Sequence, residues 1–219
     1  MGVVYRAYDR VVKREVALKT IKDINSEAQL ELFYKECELL KSISHPNIIE
    51  LFDIGVMEEE GLRKPYFVMP LLEGVTLQEL IRASSQRLTL ARSIDIISHT
   101  CRGLQAAHEA GLIHRDLKPS NIFVMVDDSV KLIDFGIARV VDTKSETGWK
   151  GTLAYMSPEQ IELKPVSPAS DIFSLGVVTY ETLTRRRPFE GNSDGWIEHH
   201  WIYSTHRSAS PPRRPGGRR

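Results

Sequence analysis

Apolar positions fall into short β-rich runs at the start of the chain and onto a helical period further along it. Residues 3–8 (Val-Val-Tyr-Arg-Ala-Tyr) and 15–19 (Glu-Val-Ala-Leu-Lys) predict two strands joined by a charged turn at 10–14. From Ser26 the period becomes helical. Leu30, Phe33, Cys37 and Leu40 recur at i, i+3, i+7 and i+10, and Ser26 with Gln29 forms a capping box at the start. His45-Pro46-Asn47 ends that helix. Residues 48–56 and 66–71 predict two more strands, joined by the polar stretch 58–64.

After Gly74 the pattern turns helical. Residues 76–82 predict a short helix. Residues 93–110 predict a longer one, with Ile94, Ile97, Cys101, Leu104 and His108 on one face and Gly111 as the C-terminal stop. Residues 122–126 and 130–133 flank Asp127-Asp128-Ser129 as a hairpin. Residues 137–166 are mostly polar and read as a long loop, a length usually kept for function. Residues 171–183 are helical and apolar nearly all round, which predicts a buried helix. From about Trp196 the pattern fades, and 204–219, made of Ser, Pro, Gly and Arg, is expected to be disordered. No internal repeat is visible.

The composition narrows the class. The chain has 219 residues, 42% hydrophobic and 26% charged, enough to bury a sizeable core and ordinary for a globular protein. No apolar run approaches a membrane span, no signal peptide is visible, and Arg6 stands where a myristoylation signal wants Ser or Thr. A cytoplasmic location is the expectation. The net charge is zero, yet residues 204–219 hold five arginines and no acid, so the body is mildly acidic and unlike a nucleic-acid surface. Two distant cysteines, Cys37 and Cys101, argue against a disulfide framework. His199, His200 and His206 share no metal-ligand spacing with a carboxylate or thiol.

One segment outweighs the rest: His114-Arg115-Asp116-Leu117-Lys118-Pro119-Ser120-Asn121, followed by Asp134-Phe135-Gly136, with Asp134 lying 18 positions after Asp116. With Val16-Ala17-Leu18-Lys19 and Ser157-Pro158-Glu159-Gln160, it resembles the signature set of the eukaryotic-type (Hanks-type) serine/threonine protein kinases, and it is most similar to their bacterial members. The resemblance covers roughly residues 1–195. It implies an α+β, two-lobed fold: a small β-rich N-lobe (1–69), a hinge (70–74), a larger helical C-lobe (75–195) and an irregular basic tail (196–219). It also implies ATP and Mg²⁺ as cofactors, proteins as substrates, and a possible kinase dimer for trans-phosphorylation.

Phosphoryl transfer needs positioning and charge neutralisation more than covalent chemistry. Asp116, in a loop expected after a short strand, can accept the substrate hydroxyl proton. Asn121 and Asp134 offer the hard oxygens Mg²⁺ prefers. Lys118 places a cation near the transferring phosphate. By resemblance Lys19 binds the α- and β-phosphates and pairs with a helix glutamate, for which Glu36 is the candidate, with Glu38 nearer solvent. The resemblance places Val4 and Ala17 over one face of adenine and Phe123 under the other, Met69 as gatekeeper, and Leu71 and Leu72 after Pro70 in the hinge. Thr143, Ser145 and Thr147 are activation-loop hydroxyls by the same comparison, and Thr152 contacts the catalytic Asp and Lys.

The chain departs from the pattern at both ends. Of the Gly-x-Gly-x-x-Gly-x-Val loop only Gly2 and Val4 remain, so a truncated lid over the phosphates is expected. The helices that follow Arg187-Pro188-Phe189 in the family are also expected to be missing, leaving Glu159 without its arginine. The rival readings are an inactive fragment or pseudokinase serving as an interaction module, and a small-molecule kinase of related fold.

Overall fold

A computed structural model describes residues 2–21, 26–59, 62–83, 88–137 and 153–189. Strands β1 (Val4–Asp9), β2 (Arg14–Thr20), β3 (Asp53–Glu59) and β4 (Leu62–Pro70) form an antiparallel sheet in the order β1-β2-β4-β3, and helix α1 (Glu27–Ser42) connects β2 to β3. Ser26 caps α1 by accepting from the Gln29 amide at 3.2 Å, and Leu30, Phe33, Cys37 and Leu40 are its buried face, as their spacing predicts. Burial pushes the Cys37 thiol up to about 12, so it stays protonated and behaves as a core residue.

The second sheet is β5 (Gly74–Thr76), β6 (Ile122–Met125) and β7 (Val130–Leu132), and it lies among helices α2 (Leu77–Arg82), α3 (Leu90–Glu109), α4 (Pro158–Ile161) and α5 (Pro168–Thr184). Thr76 and Glu79 make a reciprocal capping box on α2, and Gly111, at φ +80°, supplies the left-handed turn after α3. The architecture is α+β, as expected.

Four differences from the sequence reading have physical causes. Residues 48–52 are not strand. Ile48 bridges Leu132 and the Ile49 amide donates to the Leu132 carbonyl at 3.0 Å, which ties the segment after α1 to the second sheet. Most of the polar stretch 58–64 is strand, because β3 runs on to Glu59 and β4 begins at Leu62, opposite it. The buried face of α3 is Ser93, Ile96, Thr100, Gly103, Leu104 and Ala107, whereas Ile94 and Cys101 are exposed. Close approach decides that face: a Cβ on Gly103 would lie 2.8 Å from the Asn47 carbonyl oxygen. Helix α5 is also not buried all round. It exposes Ile172, Tyr180 and Leu183 and buries the polar Ser170, Asp171, Ser174, Glu181 and Thr182.

Candidate active site

The loop from α3 to β6 carries the acidic motif. No strand precedes Asp116; residues 112–118 are irregular and held by specific bonds. The His114 carbonyl accepts from the amides of Asp116 and Gly136, both at 2.8 Å, so the two motifs are tied at one atom. Gly136 is required there, since a Cβ would sit 2.9 Å from that carbonyl oxygen. The His114 ring is fully buried, packs on Phe135 with ring centres 4.5 Å apart, and has Nε2 3.2 Å from the Ile133 carbonyl.

Burial holds the His114 pKa below its ordinary value of 6.5, outweighing Asp171, Asp116 and Asp134, which pull the other way. The unfolded chain then takes up a proton that the folded chain refuses. This contribution to stability is complete above about pH 6.5 and declines as the pH falls from there toward the depressed folded value. In a pH titration followed by NMR, the His114 ring resonances are expected to stay unshifted through pH 6.5 while the melting temperature begins to fall. A His114 ring that titrates at or above 6.5 would contradict the buried neutral imidazole.

Asp171 organises the backbone around this ring. Its Oδ2 accepts from the His114 amide at 2.7 Å and contacts His108 Nε2 at 2.8 Å; its Oδ1 accepts from the Arg115 amide at 2.9 Å. Arg115 has φ +62° and Asp134 φ +57°, left-handed values that a non-glycine residue holds only when its surroundings enforce them.

The structure brings Asp116, Lys118 and Asn121 together. Asp116 Oδ2 receives Lys118 Nζ at 2.8 Å and Asn121 Nδ2 at 3.1 Å, and the same Nδ2 donates to the Asp116 carbonyl at 2.8 Å. Those two bonds commit the amide nitrogen of Asn121 to Asp116, so any cation would meet its side-chain oxygen, which accepts from the Ser120 hydroxyl at 3.4 Å. That oxygen and the Asp134 carboxylate are donors of the hard type that suits Mg²⁺. Among the described residues no cluster of three or more His, Cys, Asp or Glu could hold a metal by itself.

The expected ion pair between Lys19 and Glu36 is not formed. Lys19 Nζ is paired with Asp134 Oδ1, and Glu36 Oε1 accepts from Arg115 Nη1 at 3.0 Å. Both carboxylates are half-buried and each holds a cation within reach, which meets the need for a partner by a different pairing. Cross-strand register sets the cleft side of the sheet. Val4 is opposite Lys19, Lys19 opposite Phe67, and Ala17 lies between Arg6 and Met69. Ala17 and Met69 are buried, while Val4 is 54% exposed. Gly2 lies hard against β2, where any Cβ would strike the Thr20 carbonyl oxygen. Leu71 and Leu72 follow β4, and Phe123 on β6 pairs across the sheet with Thr76.

Thr143, Ser145, Thr147 and Thr152 lie outside the described residues, as do the histidines and arginines beyond 190. The 153–166 stretch is not all loop, since it contains a 3₁₀ turn (Leu153–Tyr155) and α4. Glu159 is not left alone. It accepts from the Ser170 hydroxyl, and although burial raises its pKa, the bonds from Ser170, its own amide and Ser157 carry it below the usual carboxylate value. Sequence reasoning missed two residues. Asp171 was legible as an acid in the first turn of an otherwise apolar helix, a charge that burial obliges to find donors. Gln160, which donates to the Arg115 carbonyl at 2.8 Å, was visible only as the last residue of the Ser157-Pro158-Glu159-Gln160 motif, with no role attached.

A model of the protein kinase domain matches residues 1–213 of the chain. Among curated proteins, the chain is 38% identical over 203 residues to a probable serine/threonine-protein kinase of Corynebacterium efficiens, covering 88% of this chain and 30% of that protein. It is 40% identical over 198 residues to the serine/threonine-protein kinase PknA of Mycobacterium tuberculosis, covering 88% and 46% respectively. It is 38% identical over 200 residues to a probable serine/threonine-protein kinase PknB of Corynebacterium glutamicum, covering 88% and 31%. The chain thus spans less than half the length of these relatives. With a match over nearly its whole length and both acidic motifs joined at the His114 carbonyl, the chain belongs to the protein kinase domain family.

Proposed function

We propose that this chain transfers the γ-phosphoryl group of ATP to serine and threonine hydroxyls of proteins. The observation that carries the reading is the cluster at Asp116, where one carboxylate oxygen receives both Lys118 and Asn121. That arrangement fixes the carboxylate so that its other oxygen can orient a substrate hydroxyl and take its proton. Lys118 stands within reach of the transferring phosphate as a counter-charge. The serine/threonine preference is supported by Lys118 and by the names of the relatives.

In this reading residues 1–69 form the N-lobe, 70–74 the hinge, 75–195 the C-lobe and 196–219 the tail. Support comes from the four-stranded sheet and α1, which end at Pro70, before β5 begins the second sheet at Gly74. Adenine lies between Ala17 and Phe123, with Val4 at the rim, Met69 behind it and the backbone of Leu71 and Leu72 at its edge. Gly2 brings the chain close over the phosphates. Lys19, paired with Asp134 here, would turn to the α- and β-phosphates, and Asn121 and Asp134 would hold Mg²⁺. The metal, when bound, neutralises phosphate charge. Glu36 keeps Arg115 or takes Lys19 as the nucleotide enters. Thr143, Ser145, Thr147 and Thr152 belong to the activation loop, and a second copy of the domain phosphorylates it. Among the described residues no helix is long and apolar enough to cross a membrane.

The test is transfer from γ-labelled ATP with Mg²⁺ to a general protein substrate, followed by phosphoamino acid analysis. Phosphoserine and phosphothreonine are expected; phosphotyrosine alone, or no transfer, would sink the reading. In the same preparation, Asp134→Ala is expected to remove the Mg²⁺ dependence of ATP binding, measured by titrating ATP with and without the metal. Retained dependence would put the metal elsewhere.

A further inference from the structure

We infer that Gln160 is a positioning residue for the catalytic loop: its side-chain amide locks the peptide that carries Asp116 and couples it to the segment leading into α4. The inference rests on the phosphoryl-transfer reading and adds to it a residue outside both acidic motifs.

Gln160 uses both ends of its amide. Nε2 donates to the Arg115 carbonyl at 2.8 Å, while Oε1 accepts from the Ser157 amide at 3.1 Å and the Ser157 hydroxyl at 3.3 Å. Only one orientation of the amide satisfies all three contacts. A carboxylate could serve Ser157 but not the carbonyl, and an ammonium the carbonyl but not Ser157.

The position of that carbonyl gives the bond its consequence. It belongs to the peptide whose nitrogen is that of Asp116, so rotation of this peptide swings the Asp116 side chain. Arg115 sits at φ +62°, a left-handed conformation disfavoured for a residue with a Cβ. Its amide is held by Asp171 Oδ1 at 2.9 Å and its carbonyl by Gln160, so the strained residue is clamped on both sides by elements that follow the loop by many residues. Asp171 comes from α5 and Gln160 from α4. Ser157, the other partner of Gln160, is fully buried and lies next to Pro158 at the start of α4. A shift of residues 153–157 is therefore passed through one side chain to the peptide before Asp116.

Gln160→Glu and Gln160→Met separate this role from packing. Glu keeps the acceptor for Ser157 but turns an oxygen on the Arg115 carbonyl, so its melting temperature is expected to fall by only about 2–4 °C. At about pH 8 kcat is expected to fall about tenfold with KM for ATP unchanged, because a small misplacement at the reacting centre costs rate rather than binding. At about pH 5 the introduced carboxyl is partly protonated and can donate, so the deficit relative to wild type is expected to shrink. Gln160→Met, which can do neither, is expected to show the same loss in kcat at both pH values. Wild-type kcat in both variants overturns the proposal, and so does a Gln160→Glu deficit that is independent of pH or appears equally in KM. Should the wild-type chain transfer no phosphate, the phosphoryl-transfer reading fails by itself, and hydrogen exchange of the Asp116 amide decides the positioning role. Exchange about tenfold faster in Gln160→Glu than in wild type at about pH 8 supports it, and equal protection overturns it.

Discussion

Asp116→Asn is expected to lower kcat by about 10²- to 10⁴-fold, the range supplied by a positioned general base, while ATP binding stays close to wild type. The geometry explains why the two readouts part. An asparagine oxygen still accepts from Lys118 Nζ and Asn121 Nδ2, which reach Asp116 Oδ2 at 2.8 and 3.1 Å, so the loop keeps its shape. What is lost is an anionic oxygen able to take a proton. The nucleotide contacts assigned to Lys19, Asp134 and the β1–β2 strands do not involve this atom. Single-turnover transfer and equilibrium ATP titration on the same preparations check both halves. Equal transfer by the variant would remove Asp116 from the chemistry, and a parallel loss of ATP affinity would mean that the loop had collapsed instead.

The sequence made the reacting residues legible because they are packed into short motifs whose internal spacing does most of the positioning. Asn121 reaches the Asp116 backbone and side chain because a single 3₁₀ turn, Pro119–Asn121, separates them, and Gly136 reaches the His114 carbonyl because nothing larger fits. Helix α1 was equally readable, since its apolar stripe recurs at helical spacing directly after the Ser26 cap. Contacts set by distant elements were not readable. The rule that a half-buried glutamate needs a cation holds for Glu36, but whether Lys19 or Arg115 provides it depends on how α1 sits relative to the loop, which no local pattern encodes. The α3 face failed for a related reason. Ile94, Ile97 and Cys101 look like a core stripe by hydropathy, yet the side that carries Gly103 and Ala107 lets α3 approach Asn47 and Leu132, and close approach outweighed hydrophobicity. Helix α5 shows the same limit. Its apolar residues predicted burial, whereas its buried side is largely polar because those groups serve the loop, the 153–155 turn and α4: Asp171 the His114 and Arg115 amides, Ser174 the Tyr155 carbonyl at 2.6 Å, and Ser170 the Glu159 carboxylate.

Asp171→Ala is expected to be the most destabilising single change in the described fold. The carboxylate is 1% exposed and accepts from two backbone amides, and its contact with His108 adds a third partner. Alanine takes from the buried His114 amide and the part-buried Arg115 amide the acceptor that Asp171 gives each, at up to about 1–3 kcal/mol each. It also removes one of the two clamps on a left-handed residue. The expected loss is about 3–5 kcal/mol, in the range for breaking a buried charged network, and corresponds to a fall in melting temperature of about 6–20 °C for a chain of this size. Asp171→Asn keeps the shape and one acceptor but turns an NH₂ group on the second amide, so it is expected to lie between alanine and wild type. Both variants are expected to lose transfer more than ATP binding, because the Arg115 peptide that they release carries Asp116, whereas Lys19 and Met69 stand on β2 and β4. Urea and thermal melts followed by circular dichroism measure the first effect, and the paired assays used for Asp116 measure the second. A variant that melts within a degree or two of wild type would mean that the amides find other acceptors. One that melts early yet transfers at the wild-type rate would show that the catalytic loop holds its strained backbone without Asp171.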